Sequence, residues 1–195
     1  MFERPRMFDE RQLTIEETWT ALEVKDAYGT PLGHVKFGHT GLFHGPAYMP
    51  RFWFEDAVGA RIGEVDGITP HGIRRFGMIV EYEVKDSNGQ FAAKIRYRKR
   101  PDSRFRYEWL MEDARGRWLL KVQRPRDPAL HGFQIVAPDG SLVAQVRKRW
   151  VSLKEPLNVE ILRQNVDPLL TLSYIVLIHL FVRARHQSII DFSNY

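Results

Sequence analysis

The stretch Asp167-Pro-Leu-Leu-Thr-Leu-Ser-Tyr-Ile-Val-Leu-Ile-His-Leu-Phe-Val182 decides how this chain of 195 residues has to fold. Asp167 is suited to cap a helix and Pro168 to occupy its first position, and Arg183, Arg185 and His186 complement the negative end of the dipole. The spacing therefore predicts a helix over about 168–183. Leu169, Leu170, Leu172, Tyr174, Ile175, Val176, Leu177 and Ile178 run round its whole circumference and leave no polar face. A helix of that kind has to be covered on every side. Each large apolar side chain left in water costs about 1.5–3 kcal/mol. The apolar run reaches only about 21 Å at 1.5 Å per residue, short of the ~30 Å hydrocarbon core of a bilayer. Asp167 on one side and Arg183 and Arg185 on the other block its extension. An internal helix is expected, not a membrane span.

What could cover it lies upstream, where alternating apolar and polar residues run into a turn and out again five times. Leu22-Glu-Val-Lys-Asp26-Ala-Tyr-Gly29 leads into Pro31-Leu-Gly-His-Val35, and Phe52-Trp-Phe-Glu-Asp56-Ala-Val-Gly59 into Ile62-Gly-Glu-Val65. Tyr82-Glu-Val-Lys-Asp86-Ser-Asn-Gly89 is followed by Phe91-Ala-Ala-Lys-Ile95. Tyr107-Glu-Trp-Leu-Met-Glu-Asp113-Ala-Arg-Gly116 is followed by Trp118-Leu-Leu-Lys-Val122. Phe133-Gln-Ile-Val-Ala-Pro-Asp139-Gly140 leads into the run 142–146. The turn glycines Gly29, Gly59, Gly89, Gly116 and Gly140 are spaced 30, 30, 27 and 24 residues apart. Asp at the first position of a type I turn bonds the local backbone, and Gly at the fourth supplies positive φ, so each unit reads as a hairpin with a bulge. Further strand candidates are 12–18, 158–162 and 188–192. The expected fold is all-β with one central helix: a closed antiparallel barrel of about 12 strands around a hydrophobic C-terminal helix, in one domain spanning 1–195. A two-sheet sandwich is too thin to enclose a helix, and a barrel of this size is wide enough.

On these residues the sequence resembles the tubby-like barrel superfamily, in particular its phospholipid scramblase and LURP-one-related branch. The resemblance rests on the opening Met1-Phe-Glu-Arg-Pro5, the serial Asp-x-x-Gly hairpins, and Asp167-Pro-Leu-Leu170 at the start of a late hydrophobic helix, and it covers nearly the whole chain. It implies a twelve-stranded barrel around a central helix and association with phospholipid. The chain lacks the cysteine cluster of eukaryotic scramblases, and 151–160 lacks the spaced carboxylates of a calcium loop, so calcium-gated scrambling is not expected.

Composition narrows the chemistry. Apolar residues at 44% and charged residues at 27% exclude disordered and collagen-like chains. Without cysteine there is no disulfide scaffold, thiolate zinc site or cysteine nucleophile. The N-terminus carries charge and no signal-like apolar core, so a cytoplasmic location is expected, including the surface of a membrane. Asp26, Asp56, Asp86 and Asp113 read as turn closers. His34, His39 and His44 recur every five residues, a spacing that strand alternation does not gather, so no metal is expected. His179 reads as a neutral core histidine. No Gly-x-Ser-x-Gly elbow, dinucleotide fingerprint or phosphate loop occurs, and neither a cofactor nor an enzymatic activity is expected.

The basic residues carry the functional expectation. Lys94, Arg96, Arg98 and Arg100 alternate with Ile95 and Tyr97 and share one strand face. Arg104 and Arg106 follow on the next strand, and Arg147 and Arg149 form a second cluster. Arg outnumbers Lys by 21 to 8, and a planar guanidinium suits phosphate. With a net charge of +5, these eight residues are expected to bind anionic phospholipid headgroups peripherally. The alternative is a nucleic-acid-binding or protein-interaction module using the same face.

Overall fold

Period-two alternation turns one side of each strand inward, and the chain uses it to wrap a helix. The computed structural model describes residues 6–18, 20–38, 51–68, 81–99, 107–123, 132–147, 156–163 and 166–192, with the backbone alone at 98–99, 107 and 182–192. A single 3-10 turn, Arg6–Phe8, precedes twelve strands. These are β1 (Gln12–Glu17), β2 (Ala21–Asp26), β3 (Pro31–Phe37), β4 (Arg51–Asp56), β5 (Arg61–Ile68) and β6 (Glu81–Asp86). They continue as β7 (Phe91–Lys99), β8 (Tyr107–Glu112), β9 (Trp118–Gln123), β10 (Gly132–Val136), β11 (Leu142–Arg147) and β12 (Leu157–Ile161). The helix α1 (Pro168–Phe192) ends the order. Each strand pairs antiparallel with its sequence neighbour, and β1 closes on β12 from Gln12 opposite Glu160 to Ile15 opposite Leu157. The expected barrel is present.

The hairpins form as their turn chemistry dictates. Asp26 Oδ1 accepts the amides of Tyr28 and Thr30 at 2.8 Å each, the Gly29 amide donates to the Asp26 carbonyl at 3.1 Å, and Gly29 has φ 83°. Asp56, Asp86 and Asp113 repeat the arrangement. The ladder shifts register just before each turn, between Val24 and Lys25 in the first hairpin and between Val84 and Lys85 in the third. The fifth turn departs from the pattern: Ala137 takes the first position, its carbonyl accepting from Gly140 at 2.9 Å, and Asp139 sits two places later.

Residues 168–180 of α1 are all buried, and Leu172, Tyr174, Ile175 and Val176 are wholly so. Asp167 caps the helix by accepting the Leu169 amide at 2.9 Å. The wall comes close enough at Gly63 that an added Cβ would lie 2.5 Å from Leu169 Cδ1. Toward the other end, Phe181 packs on Tyr97 and Trp109 at ring separations of 5.4 and 5.0 Å. The helix is longer than the expected 168–183, and 188–192, expected as a strand, is its last part. No Gly or Pro lies between Leu169 and Phe192, and an established helix gains a hydrogen bond with every added residue, which outweighs the β-preference of Ile189 and Ile190.

The outer face is charged and cross-linked. Lys25 sits between Glu16 and Glu23 at 2.6 and 3.1 Å. On β4 to β6, Arg51 and Arg61 hold Glu64, and Lys85 bridges to Asp66 at 2.5 Å. Burial pushes the Glu64 carboxyl up, but Arg51, Arg61 and Lys85 outweigh it and hold it below the usual range. A barrel that crosses a bilayer turns an apolar band outward, whereas this one turns its apolar residues inward. Among the described residues no helix is long and apolar enough to cross a membrane.

Candidate functional site

Strand register determines where the eight basic residues stand. Lys94, Arg96 and Arg98 lie on β7 and Arg147 on β11, with β8, β9 and β10 between those strands, so the barrel does not bring these four residues together. The side chain of Arg98 and the whole of Arg100, Arg104, Arg106 and Arg149 lie outside the described residues. Lys94 and Arg96 do share the outward face, while Ile95 is buried opposite them. Both are occupied. Arg96 Nε lies 3.1 Å from Glu81, Arg96 Nη1 lies 3.3 Å from the buried Glu112, and Lys94 lies 3.8 Å from Glu81. Two carboxylates on the neighbouring strands β6 and β8 neutralise much of this patch.

Arg147 has a different setting. It ends β11 exposed, opposite Asn158 of β12, and its Nη2 donates to the Gln145 Oε1 at 3.3 Å. Among the described residues no carboxylate pairs with it. Around it, where β12 closes on β1, the surface dips into an open polar cleft of about 250 Å³. Gln145 and Arg147 come from β11, Asn158 and Glu160 from β12, and Gln12 and Thr14 from β1. The register explains the convergence. Gln145 stands opposite Glu160 and Glu160 opposite Gln12, while Arg147 stands opposite Asn158 and Asn158 opposite Thr14. Two rungs of polar side chains thus cross three strands on one face.

Sequence reasoning reached Arg147 through its charge and missed the rest of the cleft. Gln12, Thr14, Gln145, Asn158 and Glu160 are ordinary outward positions, and they meet only because the first strand pairs with the last. Of the three histidines, His34 stands on β3 between Glu23 and Glu55 in register, and His39 and His44 lie outside the described residues. Among the described residues no three metal-ligating side chains gather. The turn aspartates are engaged by their own backbone amides, as the sequence implies.

No protein-family model matches the sequence, and no curated protein matches it. The X-ray structure of a protein from Arabidopsis thaliana is similar, with a TM-score of 0.53 and 14% sequence identity, over 86% of this chain and 88% of that chain. The likeness is one of fold, and it extends over nearly all of both chains.

Proposed function

We propose that the chain is a non-enzymatic binding module that holds the anionic headgroup of a phospholipid at the barrel seam, as expected of the scramblase and LURP-one-related branch of tubby-like barrels. One observation carries the reading: Arg147 offers an exposed guanidinium to a polar cleft with no carboxylate partner among the described residues, whereas Arg51, Arg61, Lys85, Lys94 and Arg96 each stand within ion-pair distance of one. A guanidinium presents its N–H groups as a planar fork that matches two phosphate oxygens. Bound peripherally, one such group contributes about 1 kcal/mol, or about fivefold in affinity, and less in salt.

Co-sedimentation with phosphatidylcholine vesicles, with and without phosphatidylglycerol or phosphatidylserine, tests this. Binding is expected only when an anionic lipid is present, and Arg147→Gln should weaken it by about fivefold at low salt. Wild-type protein that ignores anionic vesicles but retains a nucleic-acid oligonucleotide would replace this reading with the nucleic-acid one.

A further inference from the structure

The seam cleft contains a carboxylate that a simple anion site would not want. Glu160 faces outward from β12, half-buried, and lines the same cleft as Arg147. Since Arg147 pairs with Asn158 and Gln145 with Glu160, the two residues are diagonal neighbours on adjacent strands, a position at which backbones lie about 7–8 Å apart. Long side chains can close that gap, and elsewhere on this barrel opposite charges do close. Across the same kind of diagonal, Lys25 meets Glu16 at 2.6 Å, Lys85 meets Asp66 at 2.5 Å and Arg96 meets Glu112 at 3.3 Å. At the seam they do not. The Arg147 guanidinium is drawn to the Gln145 amide, and Glu160 has no ion-pair partner among the described residues. The side chains beside the two charges, Gln12, Gln145 and Asn158, are uncharged amides that donate and accept without neutralising either.

Resting on the reading of Arg147 as a phosphate contact, we infer that the cleft selects phosphate esters that also carry a primary ammonium group a short spacer away. The phosphate takes the guanidinium, the ammonium takes the Glu160 carboxylate, and the amides meet the polar atoms between them. A phosphate ester without the ammonium leaves Glu160 facing a like charge, which disfavours it. The same chemistry belongs to an aminophospholipid headgroup and to a free phosphoamine, and two arms of one experiment separate them.

Isothermal titration of the full chain with O-phosphoethanolamine and with glycerol 3-phosphate reads the selectivity. Sedimentation with vesicles containing phosphatidylserine or, at equal surface charge, phosphatidylglycerol reads the source. The wild type should prefer O-phosphoethanolamine by up to about fivefold, the scale of one exposed ion pair. Glu160→Gln, nearly the same in shape, should erase the preference, and Arg147→Gln should weaken both esters. Thermal melts of each variant check that the barrel is retained. Equal affinity for the two esters, or a preference that survives Glu160→Gln, overturns the ammonium selection and leaves the Arg147 reading standing. Binding unchanged in Arg147→Gln overturns that reading itself. A preference seen with the soluble esters and absent from vesicles supports the selection and assigns it to a free phosphoamine. Absence of binding to all four probes overturns both.

Discussion

Tyr174 ties the plug to the wall by a single hydroxyl. Its O–H donates to the Trp109 carbonyl at 2.5 Å and accepts the Val122 amide at 3.2 Å. The β8–β9 pairing stops at Leu110 opposite Lys121, one step short of Trp109 and Val122, so the hydroxyl takes up backbone groups that the ladder leaves. Burial drives the phenol well above its usual range, which favours the protonated, donating form. Tyr174→Phe keeps the ring packing and strands the Val122 N–H, which should cost about 1–3 kcal/mol in urea unfolding. A change near zero would mean that Val122 finds another acceptor. Gly89 makes the opposite case, a residue held by conformation alone. Nothing lies within 4 Å of where its Cβ would stand, yet its φ is 75°. Gly89→Val should cost about 1 kcal/mol or more through backbone strain, read in the same unfolding assay, and a neutral outcome would remove the left-handed assignment. The Gly89 conformation was legible from Asp86-Ser-Asn-Gly89 because turn chemistry is local. The partners of Tyr174 were not, because they lie on strands 52 and 65 residues away in sequence.

At the scale of the element, the hairpin turns are where protonation meets the fold. The Ser141 hydroxyl and amide, and then Arg163, hold the Asp139 carboxyl down at about 2, from an ordinary value of 3.8. The Thr30 and Tyr28 amides likewise hold Asp26 below the usual carboxylate range. A depressed carboxyl binds fewer protons folded than unfolded, so its contribution is complete above its unfolded value and disappears as pH falls through its folded value. For Asp139 that window runs from about 4 to about 2. Asp139 is exposed and Asp26 only half-buried, both at the barrel surface, so the effect on global stability is small and the turn itself has to be watched. The Ser141 amide resonance should titrate with a midpoint near 2 and lose that titration in Asp139→Asn, whereas a midpoint near 4 would mean that the turn bonds are not held in solution. Five hairpins were legible because each carries its own turn and its own alternation. The extension of α1 over 188–192 was not, since Ser-Ile-Ile-Asp-Phe has strand composition and only the absence of a helix stop decides otherwise.

Across the whole molecule, strand register decides which charges are available and which are spent. The pattern of inward residues made the barrel and its plug legible, but every outward strand residue looks alike until the register is known. Lys94 and Arg96 formed the more conspicuous basic run, and pairing with β6 and β8 sets Glu81 and Glu112 against them. Arg147 was legible only as part of a second basic cluster with Arg149, and closure of β1 on β12 puts it at the end of a polar cleft. The two arginines should therefore answer the same substitution in opposite ways. Arg96→Gln removes one ion-pair partner of a carboxylate whose side chain is only 8% exposed, and should cost about 1 kcal/mol in stability, discounted because the arginine itself is 41% exposed. Its effect on anionic vesicle binding should be small, because its charge is already matched. Arg147→Gln removes an exposed side chain and should leave stability within about 0.5 kcal/mol, while vesicle binding falls by about fivefold. Urea unfolding and vesicle sedimentation run on both variants give a two-by-two outcome. If the Arg96 variant loses binding and keeps its stability, the ion pairs on β7 do not hold in solution and the binding face belongs there. If the Arg147 variant loses stability and keeps its binding, that arginine supports the seam and does not meet a ligand.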